Sequence, residues 1–150
     1  MSAMSDYLEA ALLNHIFRSA TFSKPSNMAI ALTTGIPLDA HTGSYTSPTL
    51  PEVSGGSYTR YTALTVNDAH WNAPSDSAGG KLIDNVSGLT WPTATANWDT
   101  ISGVALVDNN ATAPQGGGNV LLHGQLTTPK LVQNGDTFKF NAGDLDITFA

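Results

Sequence analysis

The hydrophobic rhythm of the chain changes once, near residue 20. Before that point Leu8, Leu12 and Ile16 recur every fourth position, with Leu13 and Phe17 beside them, which lines one face of a helix over residues 6–18 with large apolar side chains. Asp6 is placed to cap this helix, Glu9 completes a capping-box-like pair, and Arg18 suits the negative end of the helix dipole. Isolated helices shorter than about 12–15 residues are marginal in water. The apolar face must therefore pack on the chain's own domain or on a neighbouring subunit.

After residue 20 short alternating apolar segments, punctuated by Gly, Asn, Asp and Pro, run to the last residue. Past a break at Lys24-Pro25-Ser26-Asn27, residues 28–33 alternate large and small and are predicted as the first, half-buried strand. Residues 34–57 shift to Gly, Pro, Ser and Thr, with Pro37, Pro48 and Pro51 among them. Loops this long are commonly functional, and this one is read as a projecting arm. Strand character returns over residues 58–66, with Tyr58, Arg60, Thr62, Leu64 and Val66 on one face, and again over 80–83, 86–91, 101–108, 120–128, 137–140 and 145–149. Turns lie between them at Asn109-Asn110, Gly116-Gly117-Gly118, Asn134-Gly135-Asp136 and Asn141-Ala142-Gly143-Asp144. Pro92 and Pro129 fall at strand ends, where a missing donor does least harm. The pattern predicts one mainly β domain over residues 1–150, an antiparallel β-sandwich or jelly-roll. Residues 1–20 form its N-terminal amphipathic helix and arm, and residues 34–57 its extended loop.

Composition narrows the function. Charged residues make up 12% of the chain, about half the ~25% of an average soluble protein. Few long charged side chains leave little rotamer entropy to lose at contacts, which suits packing between subunits. The net charge is −6, and the six basic residues, Arg18, Lys24, Arg60, Lys81, Lys130 and Lys139, are scattered, so no nucleic-acid partner is expected. Without cysteine there is no disulfide framework, thiolate zinc site or cysteine nucleophile. The first six residues lack the basic start and apolar run of a signal peptide, and no segment approaches the ~20 apolar residues that span a bilayer. A soluble product made in a cytoplasm, with no membrane partner, is expected.

No stretch gathers catalytic groups. His15, His41, His70 and His123 are far apart and read as structural or surface residues, with no metal assigned. Asp136, Asp144 and Asp146 lack the repeated acidic spacing of a calcium loop and read as solvated turn carboxylates. Gly116-Gly117-Gly118 and Ser54-Gly55-Gly56-Ser57 lack the lysine and following helix of a phosphate loop, and no Gly-x-Ser-x-Gly elbow is present. Trp71, Trp91 and Trp98 could line a sugar-binding face, but core or interface positions suit their apolar area better. The expectation is no enzyme, no catalytic residue and no cofactor.

Particular blocks carry more. Asp6-Tyr7-Leu8-Glu9 with Leu12-Leu13-Asn14-His15-Ile16-Phe17-Arg18, then Glu52-Val53-Ser54-Gly55-Gly56-Ser57-Tyr58-Thr59-Arg60, resemble a family of small tailed-bacteriophage virion structural proteins. The likeness continues in Pro92-Thr93-Ala94-Thr95-Ala96-Asn97-Trp98, Asn119-Val120-Leu121-Leu122-His123-Gly124, Asn134-Gly135-Asp136-Thr137 and Asn141-Ala142-Gly143-Asp144-Leu145, in the same order. Two departures stand out: the longer stretch over residues 36–51, and Val107 where an aromatic residue would be expected before Asp108.

The resemblance implies a virion component, tail-fibre-like or of the capsid-decoration type, made in the host bacterial cytoplasm. Its leading reading is a non-enzymatic cement protein that assembles as a homotrimer and bridges major capsid proteins from outside. In that reading residues 34–57 and residues 1–5 reach adjacent subunits. The alternative is a tail-fibre or adhesin module that binds a host surface glycan through Trp71, Tyr45 or Tyr58. Candidate interface residues are Leu8, Leu12, Ile16, Phe17, Tyr45, Tyr58 and Trp71.

Overall fold

The computed structural model describes residues 3–109 and 111–149. Its elements are β1 (Ala3–Met4), α1 (Asp6–Phe17), β2 (Asn27–Thr33), β3 (Tyr61–Thr65), β4 (Ser75–Ser77), β5 (Gly80–Ile83), β6 (Leu89–Thr90), β7 (Asp99–Val107), β8 (Val120–Val132), β9 (Lys139–Phe140) and β10 (Ile147–Phe149). The strands pair antiparallel in a principal sheet of order β1-β8-β7-β2-β3 and two small sheets, β10-β5-β4 and β6-β9. The mainly β, antiparallel architecture with one helix near the N-terminus is the one that the alternating pattern predicts. Among the described residues no helix is long and apolar enough to cross a membrane.

Register decides the core. Ile30 pairs with Leu106, which pairs with Leu122, and Leu32 pairs with Val104, so these five side chains share one face of the principal sheet. They pack in a single cluster with Trp71, Leu89 of β6, Trp91, Phe138 and Ile147 of β10, which joins the small sheets to the large one. The Trp91 ring meets Phe138 and Phe140 edge-on, at centroid distances of 5.5 and 5.9 Å.

The opposite face of the principal sheet is small where the long loop lies. Ala31 pairs with Ala105, and both are fully buried with Val107, Val120 and Leu50 of the loop. A Cβ on Gly103 would stand 2.7 Å from Pro37 Cδ, so the loop approaches the sheet as closely as it does because that position has no side chain. Residues 34–57 are accordingly not an arm along their whole length. The backbone bonds Thr34 N to Pro51 O (2.9 Å) and Val53 N to Leu32 O (3.0 Å) fold the loop back over its own domain, with Leu50 and Val53 buried and Ile36, Leu38 and Tyr45 left exposed. For the same reason β2 is buried on both faces over residues 29–33 rather than half-buried.

Four further expectations are revised. Ser5, not Asp6, caps α1: its Oγ accepts from Leu8 N at 3.2 Å and donates to the Val120 carbonyl. The first strand is β1, whose Ala3 and Met4 pair with His123 and Leu122 of the same chain instead of reaching a neighbour; Met1 and Ser2 lie outside the described residues. Pro129 lies inside β8, where pairing slips from Ile101↔Lys130 to Gly103↔Gln125, and this bulge tolerates a residue with no N–H. β4 has no apolar residue and forms as one arm of a tight hairpin to β5, with Gly79 at φ +90° in the turn. Of the turn at Asn109-Asn110, Asn110 lies outside the described residues.

Candidate interaction surface

Helix α1 divides its apolar residues between two sides. Leu8 enters the core and Leu12 packs against it half-buried, so the helix is docked in its own subunit. Leu13, Ile16 and Phe17, spaced i, i+3 and i+4, face solvent with 59%, 65% and 76% of their surface exposed. Arg18 N bonds back to Asn14 O at 3.0 Å, which closes the helix directly after this stripe. Of the seven candidate interface residues, Ile16, Phe17 and Tyr45 are exposed, and Tyr45 stands on a turn of the long loop at 78%. Leu8, Tyr58 and Trp71 are buried within the subunit, which removes Tyr58 and Trp71 as glycan platforms.

Tyr58 instead belongs to a buried polar network that pattern reasoning missed. Arg60 and Glu52, with fully buried side chains, meet in a two-pronged pair: Nε donates to Oε1 at 2.9 Å and Nη2 to Oε2 at 2.8 Å. The guanidinium also donates to the carbonyls of Gly117 (2.9 Å) and Gly43 (2.6 Å). Glu52 further accepts from Tyr58 Oη at 3.0 Å and Gln115 N at 2.7 Å, while Tyr58 Oη accepts from Leu32 N at 2.9 Å. Burial first, and the neighbouring Glu52 charge next, hold the Tyr58 phenol well above its ordinary pKa, so it stays a neutral donor. Every bond named here ties one part of the chain to another. The sequence signal was two opposite charges eight residues apart across Ser54-Gly55-Gly56-Ser57, where three residues take positive φ and reverse the chain.

The remaining polar groups also serve turns and loops. His123, opposite Ala105 and so on the loop-covered face, contacts Asp39 at 2.8 Å, and His41 Nδ1 accepts from Leu38 N at 3.0 Å. Asp136 and Asp144 accept from Gln133 N and Asn141 N within their own turns. Among the described residues no three His, Cys, Asp or Glu side chains could hold a metal ion.

One concave feature differs in character. Between the principal sheet and β5-β10 lies an apolar cleft of about 340 Å³, with Met28, Leu106 and Leu122 on its floor side and Ile83 and Phe149 facing them. Trp71 lines it and leaves its Nε1 without an acceptor. Val66, Pro74 and the aliphatic stem of Lys81 complete the wall, the Lys81 ammonium being paired with the exposed Asp76 carboxylate.

The buried Arg60–Glu52 pair holds the chain's own loops, and the outer side of its helix is apolar. Residues 3–148 match the model of the family described as "Podophage GP4 fiber I protein gp80", and the chain belongs to that family. It is thus a phage virion component, as the sequence blocks imply. No curated protein matches the chain.

Proposed function

We propose that the chain is a non-enzymatic structural subunit of a phage fibre, or of the piece that attaches one, and that it works as a closed homo-oligomer, a trimer in the simplest case. The family match over residues 3–148 carries this reading. The exposed stripe Leu13, Ile16 and Phe17 supports self-association, since soluble proteins that leave large apolar side chains side by side generally cover them. Contact through Tyr45 and the exposed turns of the long loop serves neighbouring virion proteins. Capsid decoration would use the same surfaces but at a different place and number, and the family's description favours the fibre.

Stoichiometry tests the assignment. Quantitative mass spectrometry of purified particles, with gold-labelled antibody in electron micrographs, is expected to find tens of copies or fewer at the tail. Hundreds of copies over the shell would make it a decoration protein and overturn the fibre reading. Turnover of host polysaccharide by the purified chain would overturn the non-enzymatic one.

A further inference from the structure

We infer that Asn134 is a self-modification site, held unreactive by the turn that carries it and released to form aspartate or isoaspartate when that turn parts from residues 92–98. Asn134-Gly135 is the one place in the sequence where asparagine precedes glycine. The residue after an asparagine governs this chemistry, because its main-chain nitrogen is the nucleophile and glycine has no side chain to obstruct the attack. Both residues are exposed, and nothing lies within 4 Å of where a Cβ on Gly135 would stand.

The step is closed in atoms and electrons. Gly135 N gives its proton to solvent base and bonds to Cγ of Asn134, whose side-chain nitrogen leaves as ammonia. Water then opens the cyclic imide. Cleavage of the new N–Cγ bond gives aspartate, and cleavage of the original N–C bond gives isoaspartate, with the main chain rerouted through the side chain. One water is consumed, one ammonia is released, and nothing is oxidised or reduced.

The restraint sits on the nucleophile. Gly135 N donates to Ala94 O at 2.8 Å, and Asn134 N donates to Asn97 Oδ1 at 3.0 Å. Ala94 N returns a bond to Asp136 O at 2.9 Å, so turn and facing segment are joined in both directions. On either side Trp91 N bonds to Phe138 O and Trp98 N to Val132 O, and both tryptophans are buried with Ala94. While the bond to Ala94 lasts, Gly135 N keeps its proton and cannot attack. Isoaspartate lengthens the main chain by one carbon, which shifts Gly135 N out of register with Ala94 O. A subunit that has opened here therefore cannot close as before, and the site keeps a record of the opening.

The full chain, incubated in alkaline buffer either folded or denatured in guanidinium chloride, is digested and mapped by mass spectrometry. Asn134 is expected to be the fastest asparagine to deamidate in the denatured chain, and to slow by at least about tenfold on folding. Hydrogen exchange of the Gly135 amide is the companion reading, because both processes need the same N–H freed. Its protection should match the slowing of deamidation to within about threefold. Asn97→Ala, at an exposed position, should raise the folded rate about two- to fivefold with an unchanged circular dichroism spectrum, the effect of one lost bond. Equal rates in folded and denatured protein would overturn the inference, as would another asparagine leading in the denatured chain. So would a folded rate indifferent to Asn97→Ala, or a Gly135 amide that exchanges freely while Asn134 stays intact.

Discussion

Removing the Arg60 guanidinium should cost more than any other single truncation of a polar side chain in this protein. Arg60→Ala leaves the Glu52 carboxylate buried with only the Tyr58 hydroxyl and the Gln115 amide as donors, takes the guanidinium from the Gly117 carbonyl, and leaves the Gly43 carbonyl with only Gly117 N. Breaking a buried ion pair from one side costs about 3–5 kcal/mol. A domain has about 5–15 kcal/mol in total, so the variant should be marginal. Arg60→Lys keeps the charge but loses the planar fork, and an intermediate cost of about 1–3 kcal/mol is expected. The assay is urea unfolding followed by tryptophan fluorescence, with hydrogen exchange of the Gln115 amide as the local reading. A further comparison separates a hub from an isolated pair. Glu52→Gln with Arg60→Met should not recover stability, because Tyr58, Gln115, Gly43 and Gly117 would all lose charged partners. An Arg60→Ala cost below about 1 kcal/mol, with Gln115 still protected, would refute the reasoning.

Other expectations follow from single contacts. Ser5→Ala removes both the cap of α1 and a buried bond to Val120, and should cost about 1–3 kcal/mol, with exchange rising first in α1; unchanged protection there would count against the cap. Gly103→Val would place its Cβ 2.7 Å from Pro37 Cδ and 2.8 Å from the Gly124 carbonyl, for a cost of about 1–3 kcal/mol and a fall of about 2–4 °C in Tm per kcal/mol. A melting temperature equal to wild type would show that the loop can lift at no cost. Burial first, and His123 beside it, hold the His41 imidazole below its ordinary pKa. The unfolded chain then binds a proton that the folded chain resists, so this stability is present above about pH 6.5 and lost as pH falls below it. His41→Gln should flatten that part of the Tm-versus-pH curve, and parallel curves for the two proteins would dismiss His41 as its source.

Much of the fold was legible because the side chains that build its core recur at regular intervals. Ile30, Leu32, Val104, Leu106 and Leu122 sit at alternate positions, and pairing places them on one face. What pattern could not supply was what covers the other face. A mostly polar loop gives no periodicity, and of its isolated apolar residues Leu50 and Val53 are buried anchors whereas Ile36 and Leu38 are exposed, a difference that only the fold reveals. β4 was illegible for a physical reason: Ser75, Asp76 and Ser77 bury nothing and pair because β5 is beside them. The helix shows the limit for function. Its apolar residues read as one broad face, and only docking through Leu8 and Leu12 divides that face into a packed side and the exposed side of Leu13, Ile16 and Phe17.

The guanidinium of Arg60 grips its two loops by main-chain oxygens, those of Gly43 and Gly117, and so is indifferent to the side chains that lie beyond them. The turn from Ser44 to Thr49, which carries Tyr45, can therefore be rewritten or lengthened while its base stays clamped. A chain built this way can vary the residues of this exposed turn, or accept a grafted peptide there at the bench, without renegotiating its core.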